Sequence, residues 1–200
     1  MKYCNNCFKN IYPSRKDVEI ALGKYICADC IPKTILEQKD LKEPLVKCLQ
    51  AIFVLYKIKI TELKTIRVVG HSELWRRGRK IAGGGSPFSV VGMANNKNEI
   101  LIIRGERKIA AMATITHELG HLYQYQNWGV AKVKSLPLYQ SEGFCEWLSI
   151  RVLEFYKEIE EARKIADNPD DVYGVGARYF IKAEEEGKLN EILNGDLKVP

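Results

Sequence analysis

Apolar residues recur along the chain with two different spacings, and together these spacings predict an α+β fold. Spacings of three and four residues put apolar side chains on one helical face, and they predict helices over residues 33–41, 44–57, 106–127 and 138–156. Short β-branched runs predict strands over residues 65–70, 88–94 and 99–104. The basic cluster Arg76, Arg77, Arg79 and Lys80 precedes three glycines at 83–85, which predict a flexible hairpin or flap, and residues 95–98 predict a turn.

The composition is that of a folded protein, with 46% apolar and 28% charged residues. The net charge of +6 is a mild excess of 31 Lys and Arg over 25 Asp and Glu, so nucleic acid is not the favoured partner. No apolar run approaches the roughly 20 residues that span a bilayer. The polar N-terminus also lacks the apolar segment of a secretory signal. We therefore expect a cytoplasmic protein without a membrane partner.

Four of the six cysteines form two C-x-x-C pairs, Cys4 with Cys7 and Cys27 with Cys30. Each such turn directs two sulfurs inward, and two turns complete the tetrahedral coordination that zinc prefers. We predict a structural zinc module over residues 1–43, shaped like a half-LIM or treble-clef unit, and a second domain over residues 44–200. The remaining cysteines, Cys48 and Cys145, lie among apolar residues and are interpreted as small core residues.

The segment THELGHLYQ contains the pattern His-Glu-x-x-His. On a helix, His117 and His121 lie one turn apart on the same face and can share one metal ion. Glu118 is offset by one residue, where it can take a proton from a metal-bound water without being a ligand itself. The motif therefore predicts a catalytic zinc site. Two core histidines satisfied by backbone groups are the alternative.

A third ligand has to come from another part of the chain. The only other histidine, His71, precedes the motif, so a downstream ligand must be a carboxylate. Glu142 and Glu146 are four residues apart on an apolar helix, where two carboxylates are costly unless they are paired or coordinated. We assign Glu142 as the third ligand and Glu146 as the carboxylate that holds the second nitrogen of a zinc-binding imidazole. The reverse assignment of the two glutamates stays open.

In this order the motifs resemble the gluzincin metallopeptidase domain of the plant LIM-domain peptidases, which are activated by ubiquitin, and of their small microbial relatives. The resemblance covers about residues 60–193, and the matching segments are Glu99 to Gly105, His117 to His121, Glu142 to Cys145 and Asp171 to Gly176. It implies a minimal zincin-like domain, with a short sheet on the central His-Glu-x-x-His helix and a helical C-terminal part. It also implies His117, His121 and Glu142 as zinc ligands and Glu118 as the base.

The chain departs from that family at its N-terminus. A full LIM domain binds two zinc ions through eight ligands, whereas this chain has four cysteines before residue 48 and no histidine before His71. Ubiquitin control is therefore not implied.

In gluzincins a strand beside the active-site helix pairs with an extended protein or peptide substrate, which here implies the strand from Glu99 to Arg104. A hydrogen-bond donor must also stabilise the oxyanion. His71, Tyr173 and Arg178 are candidates, and Tyr173 ranks first because it lies in the matched Val-Tyr-Gly segment. Its alternative role is that of an aromatic packed at a helix start.

The sequence therefore predicts a zinc-dependent peptidase with one catalytic and one structural zinc ion. Two alternatives are kept. One is a DNA-associated or regulator-cleaving peptidase, Spartan-like or ImmA-like, whose zinc module and basic cluster would contact phosphates. The other is a non-catalytic interaction protein stabilised by zinc.

Overall fold

The computed structural model describes residues 2–11, 16–21, 23–74, 76, 92–94 and 98–197. Its N-terminal part is built from two short antiparallel hairpins, which are β1 (Lys2–Tyr3) with β2 (Asn10–Ile11) and β3 (Val18–Ala21) with β4 (Lys24–Ile26). The second hairpin leads into a 3-10 turn at Ile31–Lys33, with Pro32 in its first positions. The helix expected after the second cysteine pair is therefore a single short turn.

Residues 33–41 do not form the predicted helix. The backbone N–H of Ile35 donates to the carbonyl of Glu106 at 2.8 Å, and the N–H of Gly105 donates to the carbonyl of Ile35 at 2.8 Å. Backbone groups used in this way cannot make the bonds to the fourth residue back that an α-helix needs. Only a 3-10 turn at Gln38–Leu41 forms, closed by reciprocal side-chain and backbone bonds between Glu37 and Asp40. The boundary between the zinc module and the second domain stays a prediction.

Helices dominate the rest of the described chain. They are α1 (Lys42–Tyr56), α2 (Lys108–Tyr123), α3 (Val130–Ser135), α4 (Leu138–Phe155), α5 (Ile159–Ala166), α6 (Gly174–Glu185) and α7 (Leu189–Asn194). The predictions for α1, α2 and α4 are confirmed, with ends that differ by a few residues. The predicted helix over 106–127 continues past α2 as one π-helical turn, Gln124–Trp128. None of the helices in the described part of the chain combines the length and apolar character needed to cross a bilayer.

A three-stranded sheet contains β5 (Thr65–Val69), β6 (Gly92–Ala94) and β7 (Glu99–Ile103) in the order β5-β7-β6. β7 pairs in parallel with β5 and antiparallel with β6, so its middle residues are hydrogen-bonded on both sides. This order disfavours the expected docking of a substrate along the strand from Glu99 to Arg104, because Ile100–Ile102 are already paired on both sides, and the docking strand stays a prediction. β6 is the edge strand of the described sheet on the side that contacts α2. The predicted flap at residues 77–85 and the turn at 95–97 lie outside the described residues.

α4 lies at the centre of the helical core, where it packs mainly on α6 and α2. Trp147 and Phe144 of α4 are fully buried against Phe180 of α6, and their ring centroids lie 5.5 to 6.4 Å apart. Aromatic groups of this size contribute a large share of the apolar area that a core removes from water. Glu142 lies two residues before Phe144, and Glu146 lies one residue before Trp147. Both glutamates are therefore held on a rigid helix, which matters because they are the candidates for the third ligand.

Candidate metal centres

The two histidines of the motif face each other from successive turns of α2. The Nε2 atoms of His117 and His121 lie 3.1 Å apart, and both side chains are largely buried. α2 and α4 approach closely at this level because the motif contains Gly120. A methyl group on Gly120 would lie 2.9 Å from Sγ of Cys145 and 3.2 Å from its Cα. The small residue brings the backbone of α4, and with it the two glutamates, next to the histidines.

Both glutamates of α4 contact these histidines. Oε2 of Glu142 lies 3.1 Å from Nε2 of His117 and 3.4 Å from Nε2 of His121. Oε1 of Glu146 lies 3.2 Å from the other nitrogen of His117, Nδ1. The two carboxylates therefore approach different atoms of one imidazole ring, and only Glu142 faces the nitrogens of both histidines.

A glutamine that the sequence reasoning missed completes this arrangement. Oε1 of Gln124 lies 3.1 Å from Nδ1 of His121, and Nε2 of Gln124 donates to the carbonyl of Ser141 at 2.8 Å. Gln124 is fully buried and begins the π-helical turn after α2. Its position three residues after His121, on the same helical face, was the available signal.

Both rings have an oxygen acceptor at Nδ1, which favours the tautomer that carries its hydrogen there and leaves Nε2 for a metal ion. Carboxylate and amide oxygens only accept hydrogen bonds, so the Nδ1 atoms of His117 and His121 are the donors to Glu146 and Gln124. In the neutral rings both Nε2 atoms then carry lone pairs. Together with Oε2 of Glu142 they form three acceptors that face one another at 3.1, 3.1 and 3.4 Å. Acceptors at such distances need positive charge among them.

The triangle of acceptors fits a zinc ion. Zinc binds imidazole nitrogen and carboxylate oxygen at about 2.0–2.2 Å in a tetrahedron, whose corners are therefore about 3.3–3.5 Å apart. Three corners would be occupied by His117, His121 and Glu142, which leaves a fourth for water. The acceptors that back the two rings, Glu146 and Gln124, are of the kind that accompanies metal-binding histidines in general.

The pKa shifts of His117 and Glu142 in the metal-free protein are consistent with a site for a metal ion. Burial by itself would lower the pKa of His117, but the carboxylates of Glu142 and Glu146 raise it well above its usual value. Burial would raise the pKa of Glu142, but its hydrogen bonds with His117 and His121 lower it well below the usual range. The pocket is therefore one that holds positive charge, as a proton or as a metal ion.

Cys145 offers a different ligand set. Its Sγ, together with a nitrogen from each of His117 and His121, forms a group whose atoms all lie within 4.8 Å of one another. However, Sγ lies 3.4 Å from Nδ1 of His121, the nitrogen that also contacts Gln124, while Glu142 is on the Nε2 side. Burial and the surrounding carboxylates also raise the pKa of this thiol well above its usual value, which disfavours the thiolate that binds metals. Of the two, Glu142 is therefore the better candidate for a third ligand.

Two further predicted residues border the same pocket. Glu118 is buried, and its charge is among those that raise the pKa values of His117 and Tyr173. The ring centroid of Tyr173 lies 6.4 Å from that of His117. Burial and the charges of Glu142 and Glu146 raise the pKa of the Tyr173 phenol to about 12, so it is protonated and able to donate.

The other two candidates for an oxyanion donor have different surroundings. The pKa of His71 is lowered by burial and by the charge of Lys24, a residue of the N-terminal hairpin β3–β4. Arg178 donates through Nη1 to the carbonyls of Ala166 at 2.6 Å and Asn168 at 3.0 Å. Its guanidinium therefore holds a loop, and Tyr173 is the candidate that lies beside the histidines.

The four cysteines of the N-terminal part lie together. Their sulfurs are all within 4.8 Å of one another, and Sγ of Cys7 is 3.7 Å from Sγ of Cys27. This is close to the spacing of about 3.8 Å for sulfurs bound to one zinc at about 2.3 Å, and far longer than a disulfide bond of about 2.0 Å. Burial raises the pKa of Cys4, but backbone hydrogen bonds, chiefly from Cys27, lower it to about 6. The four cysteines could therefore hold a metal ion such as zinc.

No protein-family model matches the chain, and neither a curated protein nor a solved structure matches it. The described residues define an α+β protein with small sheets, a helical core and a cluster of four cysteines suited to a metal ion. The likeness to gluzincin peptidases stays a prediction from the motifs.

Proposed function

We propose that the chain is a zinc-dependent peptidase of the gluzincin type, with a catalytic zinc held by His117, His121 and Glu142 and a structural zinc held by the four N-terminal cysteines. The observation that carries this proposal is the convergence of three acceptor atoms, each ring being backed by an acceptor at Nδ1. A purely structural pair of histidines does not need two lone pairs and a carboxylate directed at one point. The set of three also leaves a coordination position for water, as catalytic zinc sites do.

The residues around this position fit the hydrolysis of a peptide bond. A zinc ion held by His117, His121 and Glu142 would lower the pKa of a coordinated water and polarise the carbonyl to be attacked. Glu118 would then accept the proton that the attacking water loses and pass it to the leaving amine. Tyr173 donates a hydrogen bond to the oxygen that becomes negative during the attack. Glu146 and Gln124 hold the two imidazoles in the orientation that the ligands require.

The substrate is an extended stretch of protein or peptide backbone, and β6 is the strand that would receive it. An edge strand offers free backbone N–H and C=O groups, which bind an added strand with little regard to its side chains. β6 borders α2, the helix of the candidate ligands, whereas β7 is covered on both sides. Binding along β6 would therefore select substrates by their extended or unfolded backbone.

Replacing Glu118 by Gln tests the catalytic assignment. We expect a fall of about 10²–10⁴-fold in kcat/KM, since Gln cannot accept a proton, with two zinc ions per chain retained. Cleavage of a denatured cell proteome would be compared between wild type and variant by mapping new N-termini. Glu185→Gln is the matched control, because Glu185 is an exposed residue of α6 whose side chain makes no hydrogen bond to another described residue.

Three results would contradict the proposal in different ways. Cleavage that persists in Glu118→Gln would remove Glu118 as the base. Zinc confined to the cysteines, with no cleavage by wild type, would favour the non-catalytic interaction protein. Cleavage that requires DNA and is lost at high salt would favour the DNA-associated peptidase.

A further inference from the structure

The loop before α6 places Tyr173 next to the candidate zinc site, and we propose that Asp170 and Arg178 are positioning residues that hold this phenol in place. The inference rests on the proposed function, in which Tyr173 donates to the oxyanion. Tyr173 itself is the residue before α6 and is 37% exposed, so packing alone does not fix its side chain. The hydrogen bonds of its backbone and of the loop have to do so.

Asp170 accepts hydrogen bonds from residues before α6 and from residues in its first turn. Its carboxylate Oδ1 accepts from the backbone N–H of Val172 at 2.8 Å and of Tyr173 at 3.0 Å. Its backbone carbonyl accepts from the N–H groups of Gly174 and Val175, both at 3.0 Å. The carboxylate therefore holds the two residues before the helix, and the carbonyl accepts two N–H groups of its first turn, which fixes where the helix begins. Asp170 also fixes the backbone from which the Tyr173 side chain leaves.

Arg178 attaches the other end of the same loop to α6. Its guanidinium Nη1 donates to the carbonyls of Ala166 and Asn168, which lie before and within the loop. Asn168 in turn accepts from the N–H of Asp170 through Oδ1 at 3.0 Å. The loop also passes so close to α6 that a methyl group on Gly174 would lie 1.7 Å from the Asn168 carbonyl oxygen. Two independent side chains therefore hold a loop that has no space to shift towards the helix.

A contact between glycines joins the start of α6 to α4, the helix that carries Glu142. A methyl group on Gly143, the residue after Glu142, would lie 2.6 Å from Cα of Gly176. One on Gly176 would lie 2.3 Å from the carbonyl oxygen of Tyr139 on α4. The first turn of α6 is thus in backbone contact with α4 at the level of Glu142. A shift of the loop changes the position of the phenol relative to the ligands, while the ligands themselves stay in place.

The test is a double-mutant cycle between Asp170 and Tyr173, measured with dye-labelled casein as the probe substrate. We expect Asp170→Ala to lower kcat by about 10–100-fold with KM little changed and both zinc ions retained, since misplacement of a catalytic donor has effects of this size. Asp170→Asn, which keeps an acceptor oxygen, restores most of the activity. Asp170→Ala combined with Tyr173→Phe is no worse than Tyr173→Phe alone, because both remove the same donor.

Asp171→Ala is the matched control, since Asp171 is the neighbouring exposed carboxylate and makes no hydrogen bond with a described residue. Additive losses in the double variant, or a loss in Asp170→Ala that Asp170→Asn does not restore, would overturn the positioning role. Amide exchange of Val172 and Tyr173 gives a readout that needs no activity, and we expect it to be at least about tenfold faster in Asp170→Ala. If amide exchange in Asp170→Ala is unchanged, the proposal is overturned even if the protein cleaves nothing. If exchange is faster as expected but the wild type is inactive, only the peptidase function is contradicted.

Discussion

The two candidate metal centres of this chain are built by different means. In the N-terminal part, four sulfurs come from two tight turns, and each turn contributes two ligands that are only three residues apart in sequence. In the helical part, His117 and His121 come from α2 and Glu142 from α4, so the third ligand depends on how the two helices pack. Local backbone geometry makes the first site, and tertiary structure makes the second.

The difference also concerns what surrounds the ligands. The cysteines have chiefly one another and backbone N–H groups as partners. The histidines are backed by a carboxylate and an amide, and a buried glutamate and a tyrosine border the pocket. A four-sulfur site is filled by its own ligands and serves to stabilise a small unit with little core. A three-ligand site with polar neighbours is suited to act on another molecule.

The strongest test of the comparison is Cys27→Ser. We expect the N-terminal part to unfold and one of two zinc ions to be lost, since metal binding supplies on the order of 10 kcal/mol to the folding of such small units. The zinc of the helical part should stay, because its ligands lie on α2 and α4 and not on the hairpins. Metal content and limited proteolysis measure both effects.

Ala28→Ser is the control for that substitution, as Ala28 is an exposed residue between the second pair of cysteines. Loss of both zinc ions in Cys27→Ser would show that the two centres are not independent. The pairing of Ile35 with Gly105 and Glu106 would then be the connection to examine.

A smaller effect is expected from Gln124→Leu, which removes the acceptor behind His121 and leaves all ligands in place. Partners of this kind contribute about 10–100-fold to metal affinity, so zinc should bind the helical site that much more weakly, with the cysteine site unchanged. Competition with a chelator measures the affinity. Gln50→Leu on the exposed face of α1 is the control, and equal affinities in the two variants would show that Gln124 does not orient the ring.

The sequence predicted most of the local elements and ligand spacings of these sites, but few of the contacts between distant segments. Local patterns were sufficient for α1, α2 and α4, for the paired cysteines and for the spacing of His117 and His121, because helical periodicity and ligand spacing are properties of short segments. The segment 33–41 failed for the opposite reason, since its backbone bonds to residues about 70 positions away. No local pattern contains such a partner.

The same distinction explains the errors at the site. Glu142 and Glu146 could not be separated by spacing alone, because both lie on one face of α4, and only the packing on α2 shows which nitrogen each one meets. The central place of β7 was not predicted because strand order within a sheet follows from tertiary pairing. Gln124 was not predicted because a neutral amide belongs to no pattern of charge or of metal-ligand spacing.

The smallest difference that the comparison predicts is in the pH dependence of zinc affinity, where the slopes of the two centres differ by about tenfold per pH unit. Without metal the pKa of His117 is raised by its carboxylates, so at neutral pH zinc has to displace one proton from that ring, and its affinity rises about tenfold per pH unit until the raised pKa is passed. In the cysteine site burial raises the pKa values of both Cys27 and Cys30, while Cys4, with a pKa of about 6, is already ionised. Zinc there displaces at least two protons, which gives about a hundredfold per unit. Chelator competition from about pH 6.5 to 8 would separate the slopes. Equal slopes would mean that the two centres share one kind of ligand chemistry, contrary to the difference between a sulfur site and a site of imidazole and carboxylate.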